Sequence, residues 1–182
     1  DHMAAATADP AARCIVITGA GPAFCAGADL KNPPGSATEG RKPVGLPDIL
    51  QMMMNGDKPV IAAVNGAAFA GGLGLVGAAD IVITVDDAPF SFSEVRIGVI
   101  PAIIAVVCLP KLGRHHGMKL ILTGTRFSGT QAVAMGFAHR AVPADQLVAA
   151  VQEEADMLRL GRPNALARGT MLQRTIPPPS EV

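Results

Sequence analysis

Short apolar runs separated by glycine-rich turns fill the first half of the chain. Arg13–Thr18 is β-branched and apolar and predicts a strand ending at Gly19. Val60-Ile61 and Ile81–Val85 predict two more, and Phe90–Ser93 alternates like a half-buried strand. Gly19–Asp29 reads as a Gly- and Ala-rich loop. Residues 32–47, with four Pro and three Gly, mark a mobile surface loop. Asp48–Met54 predicts a helix, with Asp48 as N-cap after Pro47. Ile97–Leu109 is uncharged, and its helix is expected to start after Pro101. From Leu112 onward the pattern is mostly helical. Leu120–Gly124 reads as a helix C-terminus, Ser128–Met135 as a capped helix and Ala144–Leu160 as an amphipathic one. In that last helix Leu147, Val148, Val151, Ala155 and Leu158 share one face at the 3.6 period. The final six residues, with three consecutive prolines, predict a tail. The class expected is α/β in a single domain over 1–182, with an α/β core to about residue 110 and a helical region after it.

Twenty residues without a charge, Val60–Ala79, are long enough for a membrane span. Asn65-Gly66 is a turn signal, however, and Gly71, Gly72, Gly74 and Gly77 weaken any continuous helix. The segment therefore reads as buried strand, turn, short helix and strand, and no membrane association is expected. The composition agrees: 49% hydrophobic against 16% charged residues predicts a buried core and subunit interfaces, not disorder. With 15 basic and 15 acidic residues, 3% aromatics and no basic run, nucleic-acid binding is not expected. The chain has no Tyr, which removes any tyrosine acid or base. Cys14, Cys25 and Cys108 are odd in number and lack C-x-x-C spacing, so free thiols in a reducing, cytoplasmic setting are expected. Asp1-His2-Met3 carries no signal-peptide pattern, and its abrupt start suggests a preceding segment.

Chemistry concentrates in three segments. In Val16–Leu30 a strand leads into Gly19-Ala20-Gly21, but the third glycine of a dinucleotide fingerprint would fall at Phe24. Ala26-Gly27-Ala28 has no reactive side chain, so it can act only through main-chain N–H groups or serve as a tight turn. In Val64–Leu75 a turn leads into a helix opening on Gly71-Gly72, whose free N–H groups can stabilise an oxyanion or simply permit close packing. Glu94 lies between an apolar strand and the uncharged run Ile97–Leu109. Such surroundings raise a carboxylate's pKa, unless Arg96 pairs with it. Ser91 and Ser93 lie nearby, yet His2, His115, His116 and His139 fit no Ser/His/Asp pattern, and His115-His116 has no acidic companion for a metal.

Taken in order, these segments resemble the crotonase (enoyl-CoA hydratase/isomerase) superfamily, from about Arg13 to about Leu172. The motifs are strand-Gly19-x-Gly21-x-x-Phe24-x-Ala26-Gly27-Ala28-Asp29-Leu30, then Asn65-Gly66 with Gly71-Gly72 and Ala79-Asp80-Ile81, then Ser93-Glu94-Val95 with Ile97-Gly98 and Pro101. Leu122-Thr123-Gly124, Phe127-Ser128, Ala132, Gly136 and Val142-Pro143 agree with it. The resemblance implies a crotonase fold, related to the Clp protease: a spiral of strand-strand-helix units with a C-terminal helical region, assembled as a homotrimer or homohexamer. It implies that the N–H groups of Ala28 and Gly71 hold a thioester oxygen. It further implies that Ala26, Ala28, Asp29, Leu30, Lys31 and Gly71 line the acyl-CoA site, with Lys31 near the nucleotide phosphates, and that Glu94 is catalytic. No metal or further cofactor is implied, coenzyme A being part of the substrate. Two departures matter. Gly74 stands where the family's first hydratase glutamate would be, and the family's opening strand-turn-strand unit is missing.

Two facing carboxylates can orient a water and relay its proton, whereas one can carry a proton between C2 and C4 of a 3-enoyl thioester. The resemblance favours an enoyl-CoA hydratase, with an enoyl-CoA isomerase as the runner-up. A non-catalytic acyl-CoA-binding subunit is the alternative from another class.

Overall fold

The computed structural model describes residues 2–27 and 44–175, with side chains as far as residue 172. A short helix, α1 (His2–Ala8), precedes strands β1 (Ile15–Thr18) and β2 (Ala23–Cys25). Helix α2 (Leu46–Asn55), strands β3 (Val60–Val64) and β4 (Ala67–Phe69), and helix α3 (Gly71–Ala78) follow. Next come β5 (Ile81–Val85), β6 (Phe90–Ser91), a 3-10 turn over Ser93–Ile97 and α4 (Ala102–Thr123). Helix α5 (Gly129–Ala134), strand β7 (Arg140–Val142) and helices α6 (Leu147–Leu160) and α7 (Pro163–Thr175) complete the order.

The strands alternate between two parallel sheets. The larger runs β1-β3-β5-β7 and the smaller β2-β4-β6. Each strand of the first sheet up to β5 is thus followed within a few residues by one of the second, then by a helix. Registers Val16↔Ile61 and Ala62↔Val82 place β3 at the centre of the larger sheet. All five β3 residues are buried, as expected of a parallel strand covered on both faces. Phe90, Phe127 and Phe137 pack beneath the second sheet, with Phe90 and Phe127 rings stacked at 5.2 Å.

Helix α3 is glycine-rich because its neighbours come close. A Cβ at Gly72 would stand 2.3 Å from the Cys25 carbonyl oxygen, and one at Gly77 2.9 Å from Cys108 Sγ. The low helix propensity of these glycines is offset by the burial they permit. Helix α4 crosses α3 and breaks at Gly113, whose φ of 64° and ψ of 165° are not helical.

Several expectations change. Helix α2 begins earlier than predicted, with Gly45 at the N-cap and Asp48 three residues in; the Asp48 carboxylate accepts from Gly45 N–H at 2.8 Å. Acidic side chains serve a helix N-terminus from either position. Strands β2 and β4 replace loop, and Phe90–Ser93 is a two-residue strand before a 3-10 turn. The second half is not wholly helical, because β7 closes the larger sheet through Ile83↔Arg140. In α6, Leu147 and Val151 are buried as expected but Val148 is 80% exposed. Of the expected loop at 32–47, residues 32–43 lie outside the described residues and Leu46-Pro47 instead open α2; the tail lies outside the described residues as well.

Candidate active site

The smaller sheet decides what can meet. Its strands are parallel, in register Cys25↔Ala68 and Phe69↔Ser91. Each leaves the sheet at the same edge, and each is followed at once by one of the three segments singled out above. Gly27 lies two residues after β2, Ala70-Gly71 directly after β4, and Glu94 three residues after β6.

Asn65 sews the first two segments together. Its Oδ1 accepts from Gly19 N–H at 2.9 Å, and its Nδ2 donates to the Gly21 carbonyl at 2.8 Å. A Cβ at Gly66 would lie 2.1 Å from the Pro22 carbonyl oxygen, so the turn admits only glycine there. Beyond the strands the two bends touch. Gly27, at φ 97°, has its Cβ position 3.2 Å from Ala70 Cβ and 4.0 Å from Gly71 N.

Ala70 is strained, with φ 48° and ψ −121°, and it is the positive-φ non-glycine among the described residues. Such a conformation costs on the order of 1–3 kcal/mol and persists where its surroundings over-determine it. Here its N–H donates to the Ser91 carbonyl at 3.2 Å and its carbonyl accepts from Leu73 N–H at 2.9 Å. The consequence is a sharp turn from β4 into α3, placing Gly71 at the first helical position. N–H groups there have no acceptor one turn back and sit at the positive end of the helix dipole. Leu46 Cδ2 of α2 lies 3.0 Å from the Gly71 Cβ position and screens this end from one side.

Glu94 sits in the 3-10 turn, half-buried, and its Oε2 is fully buried with no hydrogen-bond partner. Burial raises its pKa above the ordinary value, with a bond from its own backbone opposing weakly. The alternative of an Arg96 ion pair is not what forms: Arg96 Nη2 donates to the Gly124 carbonyl at 3.0 Å, which also accepts from Ser91 Oγ at 3.0 Å. Cys108 of α4 is buried, with Sγ donating to the Leu73 carbonyl at 3.4 Å. Desolvation pushes its thiol far up, Lys111 opposes, and the Glu94 charge adds to the rise. Glu94 is therefore electrostatically in touch with the α3–α4 contact.

Ala26 is exposed beside Gly27, while Ala28, Asp29, Leu30 and Lys31 lie outside the described residues. The other candidates do other things. His139 Nδ1 accepts from Val82 N–H at 3.0 Å, and the His115 and His116 rings pack edge to face. Ser91 is committed to Gly124, as noted. Among the described residues no group of three or more His, Cys, Asp or Glu could hold a metal ion, and no helix is long and apolar enough to cross a membrane. Sequence reasoning missed Leu46 and Ile104, whose side chain meets the Gly74 position, because each is one apolar residue among many. It also missed Arg126, whose guanidinium lies 5.3 Å from the Phe69 ring centroid at the end of β4.

This arrangement can be compared with known proteins. The family model for enoyl-CoA hydratase/isomerase matches residues 1–172. The chain belongs to the enoyl-CoA hydratase/isomerase family. It is 38% identical over 170 residues to a carnitinyl-CoA dehydratase from Proteus mirabilis, covering 87% of this chain and 62% of that relative. The chain thus spans less than two thirds of that relative's length. An enoyl-CoA hydratase structure from Mycobacterium smegmatis superposes with a TM-score of 0.85 at 26% identity, covering 96% of this chain and 69% of that one. One from Mycobacterium avium gives 0.78 at 32% identity, covering 94% and 66%. The α/β spiral of paired strands and helices is the crotonase fold of this family.

The raised pKa of Glu94 has a stability consequence. A carboxyl whose folded pKa exceeds its unfolded value favours folding while protonated, and that contribution is lost as pH rises through the interval above 4.5. Glu94→Gln is therefore expected to melt above the unsubstituted protein near about pH 8 and level with it below about pH 4. Thermal melts followed by circular dichroism check this; a variant less stable at the higher pH would mean that the carboxylate is held by favourable partners.

Proposed function

We propose that this protein is an enoyl-CoA hydratase, adding water across the double bond of a 2-enoyl-CoA thioester, in which Gly71 and Ala28 N–H groups hold the thioester oxygen and Glu94 moves the proton. The observation that carries the reading is the buried, unpartnered Oε2 of Glu94 at the sheet edge where the Gly27 bend meets the N-terminus of α3. Similarity to a carnitinyl-CoA dehydratase and to enoyl-CoA hydratases supports it, since hydration and dehydration are one reaction run in two directions.

In this reading the two N–H groups accept the charge that develops on oxygen, each contributing ~3 kcal/mol to the transition state. Glu94 takes a proton from water as the water oxygen bonds to C3. The C2=C3 electron pair moves toward the carbonyl, forming an enolate. Glu94, now protonated, returns its proton to C2 as the carbonyl re-forms. The product carries hydroxyl on C3 and hydrogen on C2, and Glu94 ends as it began. A carboxylate with raised proton affinity suits both halves. Residues Ala26 to Lys31 would line the coenzyme A path, Lys31 beside its phosphates. Gly74 favours a second reading, a 3-enoyl-CoA isomerase: Glu94 alone removes a proton from C2 and returns it to C4 while the double bond moves from C3=C4 to C2=C3.

Val95, Ile97, Val99, Ile100, Ile103 and Val106 leave an apolar surface from the 3-10 turn into α4, with Ile100 79% and Val106 68% exposed. Such a surface supports self-association as a trimer or hexamer.

Four measurements test these readings. Side-by-side spectrophotometric assays on 2-enoyl-CoA and 3-enoyl-CoA decide the reaction, because hydration removes the conjugated chromophore and isomerisation creates it. Glu94→Gln should lower turnover by about 10²- to 10⁴-fold with acyl-CoA affinity kept within a few-fold. Near-normal rates would remove Glu94 from the chemistry, and binding without turnover in the unsubstituted protein would point to a binding subunit. Gly71→Pro deletes one donor and, in a preparation whose circular dichroism matches the unsubstituted protein, should cost about 10²- to 10³-fold in turnover; full activity would place the oxyanion site elsewhere. Light scattering should give a mass of three or six times 18.6 kDa, and a monomer would contradict the assembly.

A further inference from the structure

Two buried side-chain atoms among the described residues have no hydrogen-bond partner: Glu94 Oε2, already placed in the candidate active site, and Arg13 Nη1. Arg13 is half-buried, and it forms no ion pair among the described residues. Taking one nitrogen of a cation out of water without an acceptor is unfavourable, so the position calls for an anion. Arg13 lines a cavity of about 350 Å³ that shares no residue with the candidate active site. It precedes β1, and Lys58, also lining the cavity, precedes β3. The cavity therefore lies where the larger sheet begins, whereas Gly27, Gly71 and Glu94 follow β2, β4 and β6. Lys58 Nζ donates to the Ala6 carbonyl at 2.8 Å and to the Asp9 carbonyl, which ties it to the end of α1 and leaves its charge uncancelled. Helix α7 opens at the cavity with Pro163 and Asn164, so the positive end of its dipole adds to the attraction. Against these stands Asp57, exposed and the one carboxylate of the lining; it makes a singly charged anion a better fit than a doubly charged one. Ala12, Leu166 and Ala167 supply apolar wall.

We propose that this cavity is a second binding site, for a small organic monocarboxylate whose charged end is held by Arg13 and whose hydrocarbon part lies along Ala12, Leu166 and Ala167. A guanidinium is the side chain best shaped for this task, because two parallel N–H donors meet the two oxygens of a carboxylate. Arg13 is only half-buried, so turning its guanidinium toward the cavity exchanges the unpartnered burial of Nη1 for charge-assisted hydrogen bonds. Lys58 and the start of α7 contribute charge without needing to touch the ligand. Inorganic phosphate fits less well, since its second charge meets Asp57 and it has no apolar surface to offer the remaining wall. The site is independent of the reaction assigned above: none of its residues moves a proton or holds the thioester in that account.

The test titrates hexanoate, inorganic phosphate and hexan-1-ol into the protein at constant ionic strength, by calorimetry and by thermal melts. Hexanoate should bind with a Kd on the order of 1 mM and raise the Tm by about 4 °C at about 20 mM. Phosphate and hexan-1-ol should each bind at least about tenfold more weakly. Arg13→Met should weaken hexanoate at least about tenfold, yet leave the ligand-free Tm within about 2 °C, because an apolar chain replaces a cation with unused donors. Asp57→Asn should tighten hexanoate about threefold by removing the opposing charge. Hexanoate affinity that survives Arg13→Met places the ligand elsewhere, the acyl-CoA site included, and overturns the proposal. An Arg13-dependent phosphate affinity equal to that of hexanoate overturns the choice of a carboxylate, and binding of none of the three overturns the site itself. Should Arg13→Met not fold, Asp57→Asn decides: unchanged hexanoate affinity there overturns the proposal.

Discussion

Three parallel strands leaving one sheet edge are the constraint on which the rest of this molecule depends. Because β2, β4 and β6 run the same way in adjacent register, whatever follows each of them must emerge together. The chain uses this to gather Gly27, Ala70-Gly71 and Glu94 from positions separated by more than sixty residues of sequence. Each strand is only two or three residues long, so the smaller sheet has little stability of its own. It is held by the larger sheet, to which every one of its strands is tethered by a short connection, and by the Phe90–Phe127–Phe137 cluster beneath it.

Close approach is the second condition, and it explains the run of small residues from Asn65 to Ala79. Contacts under 3 Å from the Cβ positions of Gly66, Gly72, Gly74 and Gly77 show backbone and side chains already occupying the space that larger residues would need. The strain at Ala70 belongs to the same economy of space: a sharper turn brings the first N–H of α3 against the Gly27 bend. Glycine at 70 would relieve the strain but would also loosen the turn, because glycine gains the freedom that alanine lacks.

Much of this was legible in the sequence, for reasons that differ by residue. Asn65-Gly66 and Gly71-Gly72 announce themselves because few residue types satisfy a tight turn or a close helix contact. Glu94 stood out as a charge beside a long uncharged run. The strands β1, β3 and β5 were readable from β-branched runs. Strands β2 and β4 were not, because Ala23-Phe24-Cys25 and Ala67-Ala68-Phe69 owe their extended state to sheet neighbours and not to their own propensity. Strand β7 failed to register for the same reason. Asp48 was assigned to the helix end from its type, but residue type alone cannot distinguish the cap from the third position. Val148 satisfies the 3.6 period and still faces outward, since periodicity gives a face without saying how wide the covered stripe is. Ile104 was invisible: nothing in an apolar run reveals which member points at a glycine on another helix.

The Glu94 environment ties these levels together. A carboxylate fully out of water would stay protonated and could not act as a base, while one fully solvated would have too little proton affinity to act as an acid near neutrality. Glu94 sits between these limits because of where its turn lies. The residue is only half-buried, while its Oε2 is fully buried without a hydrogen-bond partner. Arg96, the cation nearest in sequence, is drawn off to the Gly124 carbonyl, where the helix α4 ends in a left-handed glycine with φ 59°. The αL cap of a helix thirty residues downstream thus holds Arg96 away from pairing with the carboxylate. That is how a feature of helix termination reaches the chemistry: by engaging the arginine two residues from the acid.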